Sequence, residues 1–523
     1  MNKILSVLVL IVSNLLFADQ KPNAIVIIAD DLGYADMAFL DQAPEDVKKF
    51  GTPGFDKLAK TGLYFKNAYG TSPICSPSRA GMITGRYQQR WGNYSYNEGG
   101  LPLNEITIPE ALLKLGYKTA KFGKTHLNGG PKKYPSLHGF EESLGFMFHT
   151  WDYIRLSQKD ENAYKKRAGH KGWVGCQVVG PLLRSRSLGT AANEHEKVSY
   201  ENSFTTKIFT DEAVRFIKSE KSNKPFYLHI SHNAVHMPTY VVDKEWAEKV
   251  GLDYVAWDRD SSQWNFPYWE PNQETHQVFH KKWGHLGEVD KNGRRAYLSH
   301  LLALDYSVWK VLKALEDSGQ RENTVVFFIS DNGGTINTFA NNAPLTGFKY
   351  MLGEGGIRVP FMVSMPGTLP ENKTVDKPLV STMDIFPTLL DLAKQEIPED
   401  LDGKSLLPLI LGEVEKHHDS LAWALNRNRW AFRMGKWKLT QNAGWKHSNY
   451  KLLENGDAVR NPEIFVYSNE PQLFNLEEDI SETTNLLEKF PEIVKEIRNR
   501  FEDWDRQMSG PLTSEGKPKN KKI

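Results

Sequence analysis

Cysteine is almost missing from this chain: its 523 residues include two, Cys75 and Cys176. A small scaffold stapled by several disulfides is therefore excluded. With 40% hydrophobic residues, the chain is long enough to bury a large core without such staples. An excess of either charge is also missing. The 65 Lys and Arg stand against 64 Asp and Glu, a formal net charge of +1. That balance gives no global attraction to nucleic acid or to an anionic membrane, so an anionic partner must be met by local basic clusters. Long apolar runs are missing beyond the N-terminus. The early run Ile4 to Phe17 is broken by Ser6, Ser13 and Asn14, follows Lys3 and ends at Ala18. It is too short for a confident span and reads as a signal peptide over residues 1–18. The expectation is an exported protein, periplasmic or extracellular, without a membrane attachment once the signal is removed. No cysteine follows Ala18, which argues against a lipid anchor.

What is present is an alternation of strand-like and helix-like segments. Asn23–Ala29, Tyr117–Phe122, Phe226–Ser231 and Thr324–Ser330 are short apolar runs suited to strands buried on both faces. Ile108–Leu115, Lys207–Ser219, Tyr297–Asp317 and Met383–Ala393 carry helical spacing, and Val359–Met365 continues the series. This order predicts an α/β fold: a large, mostly parallel sheet sandwiched by helices, over residues 19–398. After about Pro398 the character changes. Ser420–Leu425, Trp430–Leu439 and Ile464–Tyr467 read as antiparallel strands, and Pro491–Met508 as one amphipathic helix. A smaller C-terminal α+β domain is expected over 399–508, with a flexible tail over 509–523. Residues 150–200 and 242–289 lack periodicity and read as long loops, which in a compact domain are usually functional or mobile.

Three motifs carry chemistry. Asp30-Asp31 directly follows the first strand, and ligands of open α/β sheets bind at the carboxyl ends of strands. Two adjacent carboxylates repel unless a cation sits between them, although one of them could simply cap the next turn. Asp331-Asn332-Gly333-Gly334 follows the fourth strand in the same way, although Asn-Gly is also a common turn. If the pairs converge, Asp30, Asp31, Asp331 and Asn332 make a hard-oxygen site for a divalent cation. The third motif is Cys75-Ser76-Pro77-Ser78-Arg79-Ala80-Gly81, continuing to Thr84-Gly85-Arg86. A Cys75–Cys176 disulfide is the competing reading, but it needs no Pro-Ser-Arg frame.

Cys-x-Pro-Ser-Arg resembles the signature of the type I, formylglycine-dependent sulfatases, members of the alkaline-phosphatase-like superfamily, and the chain looks most like bacterial polysaccharide sulfatases. Further matches follow in family order: Gly123-Lys124-Thr125-His126, Val235-His236-Met237-Pro238, Lys349, Glu354-Gly355-Gly356-Ile357-Arg358-Val359-Pro360, then Gln472–Leu476 and Glu482–Leu486. The resemblance implies that a formylglycine-generating maturation enzyme converts Cys75 to formylglycine (3-oxoalanine). It implies one divalent cation, Ca²⁺ in preference to Mg²⁺, on Asp30, Asp31, Asp331, Asn332 and residue 75. Arg79, Lys124, His126, His236 and Lys349 complete the implied catalytic set. In such enzymes the aldehyde hydrate attacks sulfur, the alcohol leaves, and the second hydroxyl expels sulfate. His126 would assist that expulsion, and His236 and Lys349 would protonate the leaving oxygen.

The expected substrate is a sulfated polysaccharide or oligosaccharide, such as an algal galactan of the carrageenan type or a glycosaminoglycan. His149, Trp257, Trp264, Trp269 and Arg358 are the residues expected to touch it. Arg155, Lys165, Lys166, Arg167, Arg184 and Arg186 would meet further sulfates. His232 is expected to be structural or substrate-facing. A phosphonate or phosphate ester hydrolase on the same fold is the rival enzyme, and a non-catalytic sugar-binding protein the rival outside catalysis.

Overall fold

The computed structural model describes residues 21–512 except 97, 128–132, 148–152, 156, 160–161, 163–179, 191–193, 202, 221, 238, 240–241, 255–288, 291, 336–337, 427, 447–449, 455–457, 461–465 and 469. The signal-like segment, Cys176, His149, Trp257, Trp264, Trp269 and Lys165 to Arg167 lie outside the described residues.

Ten strands form the main sheet: β1 (Asn23–Ala29), β2 (Leu63–Phe65), β3 (Lys118–Lys124), β4 (Glu142–Phe146), β5 (Leu182–Ser185), β6 (Glu196–Val198), β7 (Phe226–Ser231), β8 (Thr324–Ser330), β9 (Phe361–Ser364) and β10 (Lys373–Val375). Their order is β10-β2-β9-β8-β1-β7-β3-β4-β5-β6. The five central strands, β8 to β4 in that order, run parallel. Antiparallel partners close both flanks.

Strand β1 shows why its sequence is apolar after Asn23. Ile25, Ile27 and Ala29 enter one core, and Ala24, Val26 and Ile28 enter the other. A central parallel strand thus has no solvent face to make polar. The helices α1 (Pro53–Lys60), α2 (Cys75–Thr84), α3 (Ile108–Lys114), α4 (Thr205–Ser219), α5 (Gly293–Asp317) and α6 (Ile385–Leu392) cover both faces. Phe55, Phe209 and Leu301 from α1, α4 and α5 pack on one side. Ile83, Leu112 and Phe386 from α2, α3 and α6 pack on the other. Each such side chain stabilises the fold by about 1.5–3 kcal/mol relative to exposure.

A separate antiparallel sheet follows: β11 (Ser420–Asn426), β12 (Arg429–Met434), β13 (Trp437–Gln441) and β14 (Gln472–Asn475). Helix α7 (Pro491–Arg506) covers it, with Phe501 stacked on Trp430 at 4.0 Å. Three details differ from expectation. Trp430–Leu439 is a hairpin rather than one strand, turned at Gly435 with φ 54. The strand near 464–467 spans Val466–Ser468 and pairs with Gly444–Lys446, outside the four-stranded sheet. The stretch 150–200 contributes β5 and β6 to the main sheet edge. The first tail residues are also held: Ser509 and Leu512 donate backbone hydrogen bonds to Gln89 and Gly92.

The two sheets meet through a buried charge cluster. Glu354 is ion-paired with Lys438 Nζ at 2.9 Å and Arg358 Nη2 at 2.6 Å, and accepts from the Tyr69 hydroxyl at 2.7 Å. Lys438 also pairs with Glu482 at 2.8 Å. Trp423 anchors the same seam by donating its indole N–H to Gly70 O at 2.7 Å. Breaking one member leaves buried partners uncompensated. Glu354→Gln is expected to lower stability to urea by about 3–5 kcal/mol. The double variant Glu354→Gln with Lys438→Met is expected to recover part of the loss, which comparison of the two unfolding midpoints checks.

Candidate active site

The central strands end in register. Ala29 stands opposite Ser330, Ile28 opposite Ser231, and Ser231 opposite Gly123. Residues just past these ends therefore meet at one edge of the sheet. They are Asp30 and Asp31 from β1, Lys124 at the end of β3, Ser231 at the end of β7, and Asp331 and Asn332 after β8. Gly123 makes the close approach feasible: its φ is 113, and a Cβ there would sit 1.9 Å from Ser231 O. Helix α2 begins at Cys75 and brings Arg79 over the cluster, all ten of its residues being buried.

Arg79 binds Asp331 through Nε and Nη2 at 2.8 Å each, reaches Ser231 Oγ at 2.5 Å, and lies 3.4 Å from Asp30. Lys124 Nζ lies 2.5 Å from Asp30 Oδ2, and Lys349 Nζ 2.8 Å from Asp31 Oδ1. Asn332 Nδ2 donates to Asp31 Oδ1 at 2.7 Å. His236 donates from Nδ1 to Met237 O at 2.7 Å, which turns Nε2 toward Asp31 Oδ2, 3.6 Å away. The Tyr153 hydroxyl is shared between Asn233 O and His236 O at 2.6 and 2.7 Å and fixes this turn. His126 is buried two residues beyond Lys124, with φ 47. Asp31 (φ 62) and Tyr350 (φ 73) share that left-handed conformation, which costs about 1–3 kcal/mol per residue and clusters at functional sites.

The electrostatics follow from burial. Burial pushes the Asp331 carboxyl above its ordinary value; Arg79 opposes this and Asp30 adds to it. Burial is the largest single effect on Asp31 too and pushes it up, but Lys349 and His236 together hold that carboxyl below its usual range. Lys349 is itself held well above its ordinary value, because Asp31 and Cys75 outweigh its burial. Burial also pushes the Cys75 thiol up, against the pull of Lys349 and Lys124. His236 is pushed well below its ordinary value, first by burial and then by Lys349. Its imidazole is therefore neutral near pH 7, and Nε2 presents a lone pair.

The donor set fits a hard divalent cation. Ligand atoms of Asp30, Cys75 and Asp331 lie within 4.8 Å of one another, as do those of Asp30, Asp31 and His236. Asn332 Oδ1 is buried and accepts no hydrogen bond, and neither does Asp30 Oδ1. Orphaned buried acceptors of this kind need a partner, and oxygen ligands suit Ca²⁺ or Mg²⁺.

The structure thus brings together Asp30, Asp31, Cys75, Arg79, Lys124, His236, Asp331, Asn332 and Lys349. Cys75 is a free, buried thiol, which removes the disulfide reading. Three expected substrate contacts are corrected. Arg358 is 3% exposed, bound to Glu354 and seated over the Tyr69 ring at 5.4 Å, so its charge serves the scaffold. Arg184 is buried on Glu212 at 2.6 Å, and Arg155 is fully buried with Nη1 on Gly180 O. His232 is structural: its Nε2 lies 2.9 Å from Ser307 Oγ, and burial pushes it down to about 3. Sequence reasoning missed Ser231, although its place as the last residue of a buried strand was a usable signal. It also missed Tyr153 and Tyr350, whose roles depend on long-range contacts.

A buried cluster of carboxylates and fixed cations, built at the carboxyl ends of a parallel sheet around the first turn of one helix, suits an enzyme that acts on an anionic group. Comparison with known proteins sharpens the class. Residues 22–395 match the Sulfatase family, and residues 348–507 match the family described as N-sulphoglucosamine sulphohydrolase, C-terminal. The chain belongs to the sulfatase family and is a sulfuric ester hydrolase. It is 30% identical to the N-acetylgalactosamine-6-sulfatase of Homo sapiens over 412 residues, covering 75% of this chain and 66% of that protein. A sulfatase of Formosa agariphila is 27% identical over 553 residues, covering 94% and 90%. The solved structure of Ps i-CgsB in complex with k-i-k-neocarrahexaose superposes with a TM-score of 0.72 at 28% identity, covering 94% of each chain.

Asn332→Ala removes an orphaned oxygen without removing a charge. It is expected to weaken Ca²⁺ or Mg²⁺ binding by about tenfold or more, equal to about 1.4 kcal/mol, as read by calorimetric titration.

Proposed function

We propose that this enzyme removes sulfate from a sulfated galactan or glycosaminoglycan, using residue 75 as formylglycine and a Ca²⁺ ion held by Asp30, Asp31, Asp331, Asn332 and residue 75. The observation that carries the reading is Cys75 Sγ, at the start of α2, grouped within 4.8 Å with Asp30 and Asp331 in a buried cluster of three carboxylates and three fixed cations. The modified side chain supplies, as its hydrate, the oxygen nucleophile for attack on sulfur. A thiol held up by burial is a poor nucleophile near pH 7, which supports a role for the modified side chain instead. The ion, when bound, supplies Lewis-acid charge to the sulfuryl oxygens.

The chain's own residues do the rest. Arg79, Lys124 and Lys349 hold positive charge where the sulfuryl group develops negative charge, and they do so without reorganising. Lys349 stays charged beside Asp31 and would steady the departing sugar oxygen as a hydrogen-bond donor. With Nδ1–H on Met237 O and the ring neutral, His236 Nε2 accepts rather than donates, which differs from the leaving-oxygen donor the resemblance implies. By the family resemblance, His126, buried just past Lys124, would assist the final expulsion. Tyr96 and Tyr350, 45% and 43% exposed with ring centroids 6.4 Å apart, form an aromatic rim beside Lys349. Exposed aromatic faces of this kind suit a sugar ring. The galactan or glycosaminoglycan class is supported by two relatives, one solved with k-i-k-neocarrahexaose and one named an N-acetylgalactosamine-6-sulfatase. Among the described residues no helix is long and apolar enough to cross a membrane. Residues 1–18 support export to the periplasm or beyond, with a maturation enzyme acting on Cys75 beforehand.

Sulfate release from a panel of carrageenans and glycosaminoglycans, using protein co-expressed with a formylglycine-generating enzyme, tests the reading. Release from one glycan class, abolished in Cys75→Ser, is the expected result. No release from any glycan, with the aldehyde at residue 75 verified by peptide mass, overturns it in favour of a phosphonate or small-ester hydrolase. Tyr96→Ala is expected to raise KM for the polymer about two- to tenfold, the worth of about 0.5–1.5 kcal/mol. Its kcat on a small aryl sulfate should stay unchanged.

A further inference from the structure

A second set of metal-type ligands lies outside the active site. Asp384 closes the turn before α6, and His417 and His418 stand just ahead of β11. Their side chains are 0%, 3% and 6% exposed. His418 Nε2 lies 2.8 Å from Asp384 Oδ1, and His417 Nε2 lies 3.1 Å from Asp384 Oδ2. One ligand atom from each residue falls within a 4.8 Å group. The carboxylate is fixed from behind: Ser381 N–H donates to Oδ2 at 2.7 Å and Lys404 N–H to Oδ1 at 2.9 Å. The two imidazole rings stand at 82° to each other, so adjacent residues aim two Nε2 atoms at one carboxylate.

A structural ion pair accounts for His418, whose Nε2 is hydrogen-bonded to Oδ1. His417 is also paired with Asp384, but its contact is looser. Its Nε2 is buried, close to Oδ2, and outside hydrogen-bond geometry with any partner. Two buried ring nitrogens gathered on one carboxylate are placed to share a cation. We propose that Asp384, His417 and His418 form a closed structural site for a borderline transition-metal cation, Zn²⁺ by donor chemistry. Two imidazoles and one carboxylate suit Zn²⁺, which four-coordinate geometry completes with a water or a carbonyl. The all-oxygen set at the active site suits Ca²⁺ or Mg²⁺ instead.

The position gives the site its purpose. Asp384 belongs to the layer under α2: the following residues Ile385 and Phe386 share a core with Ile83 of that helix. The loop that fixes Asp384 also holds the end of α2, since Asp402 and Gly403 both donate to Gly85 O at 3.0 Å. The histidines open the C-terminal sheet, and His418 N donates to Leu379 O. A bound cation would rivet the second sheet to the floor beneath the helix that carries Cys75.

The test uses the full-length, tag-free protein, stripped with EDTA and kept in excess Ca²⁺ so that the active site is occupied. Added Zn²⁺ is expected to bind as a single equivalent and to raise the thermal unfolding midpoint. Co²⁺ is expected to give the visible absorption of a tetrahedral nitrogen and oxygen site. His417→Gln removes a ligand that makes no hydrogen bond, so the chain should still fold and respond to Ca²⁺. It is expected to weaken Zn²⁺ binding by about tenfold or more, and Asn332→Ala to leave it unchanged. Absence of a Zn²⁺ or Co²⁺ response in the unaltered protein, or a response that survives His417→Gln, overturns the proposal. A response lost in Asn332→Ala also overturns it, by placing the ion at the active site.

Discussion

Three buried carboxylates and three buried cations share one site, and the rest of the molecule is arranged around keeping them together. Asp30, Asp31 and Asp331 face Lys124, Lys349 and Arg79, so the formal charges cancel. Cancellation is what makes the burial tolerable, because a single uncompensated charge here would cost several kcal/mol. The same neutrality gives the site its selectivity. A divalent cation added to a neutral cluster leaves an excess of about two positive charges in a poorly solvated place. That is a receptor for a tetrahedral anion, and a sulfate ester meets it better than a neutral ester does.

Keeping six long or charged side chains in place needs rigid support on every side. The parallel strands supply it from below, since their shared register fixes where Asp30, Lys124, Ser231 and Asp331 emerge. Helix α2 supplies it from above and carries Cys75 and Arg79 on consecutive turns. Lys349 has no such strand beneath it. Its loop is held instead by Glu354, which binds Arg358 on its own segment and Lys438 on the second sheet. The C-terminal sheet is therefore part of how the active site is positioned, although it contributes none of the groups gathered around Cys75.

Much of this was legible in the residues. Strands β1, β7 and β8 have the bounds that their mostly apolar runs imply, because a strand buried on both faces has little room for polar residues. The pairs Asp30-Asp31 and Asp331-Asn332 could be placed because they directly follow such strands. The edge strands β5 and β6 were not legible: half-exposed edges such as Glu196–Val198 carry polar residues and look like loop. Arg358 was misjudged for a different reason. A motif string gives the order of residues but not the side on which a guanidinium lies, and here Glu354 claims it. The same limit hid the Glu354–Lys438–Glu482 cluster, whose members are far apart in sequence and meet only in the folded chain.

The most direct test of the charge argument is calorimetric binding of inorganic sulfate to the Cys75→Ser variant, with and without a saturating divalent cation. The variant cannot turn substrate over, so binding is read alone. The account predicts that sulfate binds about tenfold or more tighter with Ca²⁺ present, and that Ca²⁺ binds tighter by the same factor with sulfate present. Equal sulfate affinity with Ca²⁺ and with EDTA would contradict it, because the neutral cluster would then attract the anion without the added charge.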